Sequence, residues 1–130
     1  YPIDYIRRNP TVVNVFTADF VKENPDYVNL YHQRFLEYPI SKEASKHQFN
    51  AVKRFNAKKR LQHIGAPTLV LHGKKDFAFP PENGSILARA IPTAKLVYFE
   101  KSAHNLAEEM STVINVITEF LLGSDSSSAR

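Results

Sequence analysis

Residues 66–108 read APTLVLHGKKDFAFPPENGSILARAIPTAKLVYFEKSAHNLAE. After Pro67 comes an apolar run, Thr68-Leu69-Val70-Leu71-His72, stopped by Gly73. Such a short run bounded by Pro and Gly reads as a buried strand ending in a turn. Asp76 follows within a few residues. Pro80-Pro81 then fixes a helix start. From Glu82 to Ile91, the apolar residues Ile86, Leu87, Ala90 and Ile91 are spaced for one helical face. Pro92 ends that helix, and Leu96-Val97-Tyr98-Phe99 forms a second short strand. His104 lies in the loop beyond it, ahead of a last amphipathic helix.

This order has chemical content. In an open α/β sheet, ligands bind outside the carboxyl ends of the strands. Two adjacent parallel strands would bring Asp76 and His104 to one such edge. A carboxylate that accepts an imidazole N–H fixes the tautomer and orientation of the ring. It also stabilises the imidazolium formed when the other nitrogen takes a proton.

The combination resembles the C-terminal part of an α/β-hydrolase of the esterase, lactonase and perhydrolase type. The family pattern maps onto Pro67 to Gly73, Asp76, Phe79-Pro80, Ala103-His104 and Glu108, with Ala103 where Gly is usual. Family order is Ser, then Asp or Glu, then His. The resemblance, which spans residues 61–122, therefore implies Asp76 as triad acid and His104 as base. It gives His72, beside Gly73, a structural role. Phe77 and Phe79 flank the acid loop and are candidates to cover the pair and exclude water.

The nucleophile of that family sits in a G-x-S-x-G elbow. This chain has four glycines, Gly65, Gly73, Gly84 and Gly123, and none frames a Ser in that way. The resemblance thus implies an α/β fold made of a helical lid, then two parallel strands with flanking helices, with the first half of the sheet absent. The expected partners are the missing N-terminal half of the same protein or a second copy pairing as a dimer, because an isolated two-stranded sheet has an open edge. The chain alone is expected to be inactive.

Residues 1–60 read as the lid, 61–123 as the core portion, and the Ser-rich 124–130 as a flexible tail. Thr11 to Phe16 (TVVNVF) suits either a strand or a packed lid segment. Asn24-Pro25 marks a cap followed by the first residue of a helix. On that helix Tyr27, Leu30, Tyr31, Arg34, Phe35 and Tyr38 share one face. Tyr31 and Phe35 are its candidates for substrate contact. Ser41 caps a third helix, whose buried stripe is expected to be Ala44, His47, Gln48, Ala51, Val52 and Phe55. The last helix, Thr112 to Leu122, has Ser111 as a candidate cap and presents Val113, Val116, Ile117, Phe120 and Leu121.

Net charge is +4 over 130 residues. Residues 1–65 hold eleven Lys or Arg against six Asp or Glu, and residues 66–130 hold six against seven. The excess in Lys53-Arg54 and Lys58-Lys59-Arg60 reads as a solvated face, with no nucleic-acid motif beside it. With no Cys, disulfide and thiol chemistry are excluded, which fits a cytoplasmic protein. No His pair has H-x-x-x-H spacing, so neither a metal nor a cofactor is expected. No stretch has the apolar length of a membrane span.

The function implied is hydrolysis of a carboxylic ester, thioester or lactone. Haloalkane dehalogenases and epoxide hydrolases are the alternative within the resemblance, with Asp as nucleophile. A perhydrolase reaction would use the same Ser triad. A non-catalytic interaction protein of the same fold is the third possibility.

Overall fold

The computed structural model describes residues 15–123. Most of the Thr11–Phe16 run and the Ser-rich tail lie outside the described residues. The helices are α1 (Ala18–Glu23), α2 (Pro25–Glu37), α3 (Lys42–Arg54), α4 (Glu82–Ala90) and α5 (Met110–Leu122). The strands are β1 (Thr68–Gly73) and β2 (Ala94–Phe99). Short 3₁₀ turns occupy Leu61–His63 and Ala107–Glu109.

β1 and β2 pair in parallel, from Thr68 opposite Ala94 to Gly73 opposite Phe99. α4 is the crossover and packs on both strands. The equal register sends the loops that carry Asp76 and His104 out of the same sheet edge. The expectation of a buried β1 holds only at Gly73; Thr68 to His72 are half-buried.

Helix faces also differ from the expected ones. On α4 Gly84 is buried and Ala88 half-buried; of the expected face Ala90 is half-buried and Ile91, at the C-cap, is buried, while Ile86 and Leu87 are exposed. Gly84 sets this choice. A Cβ there would come within 3.2 Å of His72 and Leu96, so the helix backbone rests directly on the sheet. On α5, Val113 is buried and Val116 and Phe120 are half-buried, whereas Ile117 and Leu121 face outward. α3 has no buried residue. Its expected inner stripe is exposed, with Val52 and Phe55 each 69% accessible.

The caps agree with the sequence at one of three places. Ser41 starts α3 as expected, its Oγ accepting the Ala44 N–H at 3.1 Å. Asn24 precedes Pro25 but makes no side-chain cap on α2. Its backbone N–H and Nδ2 both donate to Phe20 O at the end of α1 (2.8 and 3.1 Å). Ser111 lies within α5, and Glu109 holds the N-cap position without capping through its side chain. That carboxylate is turned to the loop after β2, where Oε2 accepts from Lys101 N–H (2.9 Å) and Ser102 Oγ–H (2.8 Å).

The core of the helical segment is Phe16 with Val28, surrounded by Val15, Phe20, Val21 and Tyr31. Phe16 stacks on Phe20 and meets the edge of Tyr31, with centroids 5.3 and 5.1 Å apart. Ala107, from beyond β2, joins the cluster. The helical segment and the sheet portion are thus packed together at the loop that carries His104.

Candidate active site

Asp76 follows β1 and is 7% exposed. Both of its oxygens are used. Oδ1 accepts the N–H groups of Ala78 (2.8 Å) and Phe79 (3.0 Å), an Asx-type turn that fixes the carboxylate against its own loop. Oδ2 lies 2.9 Å from His104 Nδ1. Since a carboxylate only accepts, the hydrogen-bond network assigns the proton to Nδ1 and leaves Nε2 with a free lone pair. The His104 side chain is 40% exposed, so that nitrogen is reachable.

Burial alone would push the Asp76 carboxyl up. The hydrogen bond from His104, the Phe79 amide, the His104 charge and the Ala78 amide together outweigh it and hold the group below its ordinary value. Asp76 is therefore an ionised, fixed acceptor.

A second imidazole completes the acid loop. His72 Nε2 is 3.1 Å from Phe79 O, so that nitrogen carries the proton, and it faces Asp76 Oδ2 at 3.5 Å. His72 thereby ties the end of β1 to the loop that carries Asp76.

Asp76, His104, His72, Phe79, Asn83 and Leu87 line a cavity of about 250 Å³. The Phe79 ring lies against His104 with centroids 5.3 Å apart. The other aromatic candidates lie elsewhere. Phe77 is 84% exposed and does not line the cavity. Tyr31 packs on Phe16. Phe35 belongs to α2, but its side chain lies outside the described residues. A larger hollow of about 700 Å³ sits between α1 and the start of α5 and does not reach Asp76 or His104.

The family model described as TAP-like protein, an α/β-hydrolase family, matches residues 41–127. The chain belongs to this family of α/β-hydrolases. It is 37% identical over 62 residues to the proline iminopeptidase PfmaB of Pestalotiopsis fici, a match covering 48% of this chain and 22% of that protein. It is 36% identical over 62 residues to a pimeloyl-[acyl-carrier protein] methyl ester esterase of Neisseria meningitidis, covering 48% of this chain and 24% of the esterase. The fold of the enol-lactonase from Burkholderia xenovorans LB400 superposes with a TM-score of 0.78 at 24% identity, covering 88% of this chain and 43% of the lactonase. The chain thus spans less than half the length of each of these proteins.

In this α/β-hydrolase the structure brings together Asp76 and His104, the two residues that the sequence pairs at one sheet edge, and adds supports that the sequence did not show. Glu108 was visible only as the acid that follows the His. In the structure its Oε1 accepts the Thr17 N–H at 2.7 Å and its Oε2 the Ala103 N–H at 3.2 Å. The bond to Ala103 spans five positions, but the bond to Thr17 has no local signal in the sequence, since Thr17 lies 91 positions away. Among the described residues, no helix is long and apolar enough to cross a membrane.

Proposed function

We propose that the intact protein containing this chain is a serine hydrolase of carboxylic esters, thioesters or lactones. His104 is its general base and Asp76 the residue that orients it. The observation that carries this reading is the 2.9 Å contact between Asp76 Oδ2 and His104 Nδ1, with Nε2 left free beside an open cavity. The esterase and lactonase among the similar proteins support the substrate class.

The nucleophile comes from a segment preceding the described part, which also supplies strands beside the present two. Ser Oγ attacks the acyl carbon while His104 Nε2 takes its proton. As the tetrahedral intermediate collapses, Nε2 gives that proton to the departing alkoxide or thiolate. Water then repeats the sequence on the acyl-enzyme and releases the acid. Asp76 stays ionised throughout and stabilises the imidazolium. Phe79 forms one wall of the acyl or alcohol pocket, and the helices α1 to α3 act as the lid. Without the nucleophile segment, this chain does not hydrolyse esters by this route. The lack of Cys fits a cytoplasmic site of action.

The test is turnover of p-nitrophenyl esters by the intact protein, with fluorophosphonate labelling. Labelling at a Ser, and loss of turnover in His104→Ala, are expected. Undiminished turnover in His104→Ala would sink the assignment.

A further inference from the structure

We propose that Glu108 is a positioning residue for His104, which it places by tying the base loop to the entrance of α1. The proposal rests on His104 being the base.

The two N–H groups that Glu108 binds belong to Thr17, 8% exposed, and Ala103, 1% exposed. Thr17 is the N-cap of α1, and Ala103 immediately precedes the base. On the other side of the base, Asn105 N–H donates to Val15 O at 3.3 Å. The backbone of His104 is thus held from both flanks by the same short stretch, Val15 to Thr17: directly through Asn105, and through the Glu108 carboxylate at Ala103.

The next residue shows why the loop needs such ties. Leu106 has φ 60, in the left-handed region that a Leu side chain disfavours. A conformation of this kind persists only when its surroundings over-determine it. Ala107 packing on the Phe16–Val28 cluster and the Glu108 bridge are those surroundings. A carboxylate suits the position because it offers an acceptor to each N–H and no donor. A Gln of the same length has one acceptor oxygen and must turn its amide group toward an N–H.

The consequence is a demand on geometry alone. Glu108 does not line the cavity beside His104, so its loss should leave substrate binding intact while moving the ring away from Asp76. The experiment uses the intact protein and p-nitrophenyl acetate, comparing wild type, His104→Ala, Glu108→Gln and Glu108→Asp. Glu108→Gln should lower kcat about 10- to 100-fold, as expected for a misplacement on the order of 1 Å, with KM within about threefold. Glu108→Asp keeps both acceptors on a shorter stem and should fall between Gln and wild type. A folded Glu108→Gln with wild-type kcat overturns the proposal, as does a change confined to KM. Should Glu108→Gln fail to fold, Glu108→Asp decides by the same criteria. Should neither fold, the tie serves the fold and not the base, and the proposal is again overturned. Retained turnover in His104→Ala would instead sink the base assignment. Loss there, with unchanged Glu108 variants, would sink the positioning role alone.

Discussion

A Cβ added at Gly73 would overlap the carbonyl oxygen of Ser102. The end of β1 and the loop after β2 therefore touch backbone to backbone, and the hydrogen bond from Lys75 N–H to Ser102 O (2.9 Å) closes the contact. Asp76 and His104 leave the sheet from either side of this junction. Their spacing is set by a glycine that belongs to neither loop.

Gly73→Ala tests this directly. The methyl group would meet Ser102 O and Ala103 O, both backbone atoms that cannot swing aside. We expect a loss of about 1–3 kcal/mol in unfolding free energy, the usual cost of overpacking. A fall in turnover of the intact protein should accompany it, because the His104 loop moves. Denaturant titration beside kcat checks both. Unchanged values would mean that the two loops are not in contact.

Asp76→Asn separates charge from shape. The Asn Oδ1 can still accept from Ala78 and Phe79, but its amide group then faces His104 Nδ1. The ring is driven to the tautomer with the proton on Nε2, which cannot act as base. On that argument kcat should fall about 10⁴-fold with the fold retained. A loss smaller than about tenfold would show that Asp76 does not set the tautomer.

The lowered Asp76 carboxyl also predicts a pH dependence of stability. The unfolded chain takes up this proton at a higher pH than the folded one. Asp76 therefore contributes stability in full above the ordinary carboxylate value of about 3.9, and loses it as the pH falls through the lowered folded value. Urea midpoints of wild type and Asp76→Asn should differ by a constant amount from neutral pH to about pH 5 and converge below about pH 4. A gap that persists undiminished at the acid end would contradict the assignment.

Tyr98→Phe probes the packing of α4 alone. The Tyr98 hydroxyl donates to Pro81 O at 3.0 Å and accepts from Ser85 Oγ–H at 2.6 Å, pinning the start of that helix to β2. Removing it should cost about 1 kcal/mol and leave turnover within about twofold of wild type. A thermal melt beside a rate measurement reads both. A melting temperature unchanged by the substitution would rule out the pin.

How much of this was legible in the residue order depends on the range of the forces involved. β1, α4 and β2 were readable because Pro67, Gly73, Pro80-Pro81 and Pro92 punctuate apolar runs of the right length. Asp76 and His104 could be paired because parallel strands deliver both to one edge. Which side of α4 faces the sheet was not readable, since hydrophobicity favoured Ile86 and Leu87 while close approach required Gly84. Asn24 and Ser111 looked like capping positions, but Asn24 bonds Phe20, Ser111 lies within α5, and Glu109 at the N-cap position bonds the Lys101–Ser102 loop. Likewise, Glu108 and Thr17 meet only once the chain has folded.

The groups that Val15 and Thr17 offer to the base loop are a backbone C=O and a backbone N–H. Peptide groups are common to every residue except for the N–H that proline lacks. These two bonds therefore constrain the path of the chain, while the side chains of the Phe16–Val28 cluster supply the packing on Ala107. Bonding through its backbone marks Thr17 as a natural seam for grafting a foreign segment onto this scaffold.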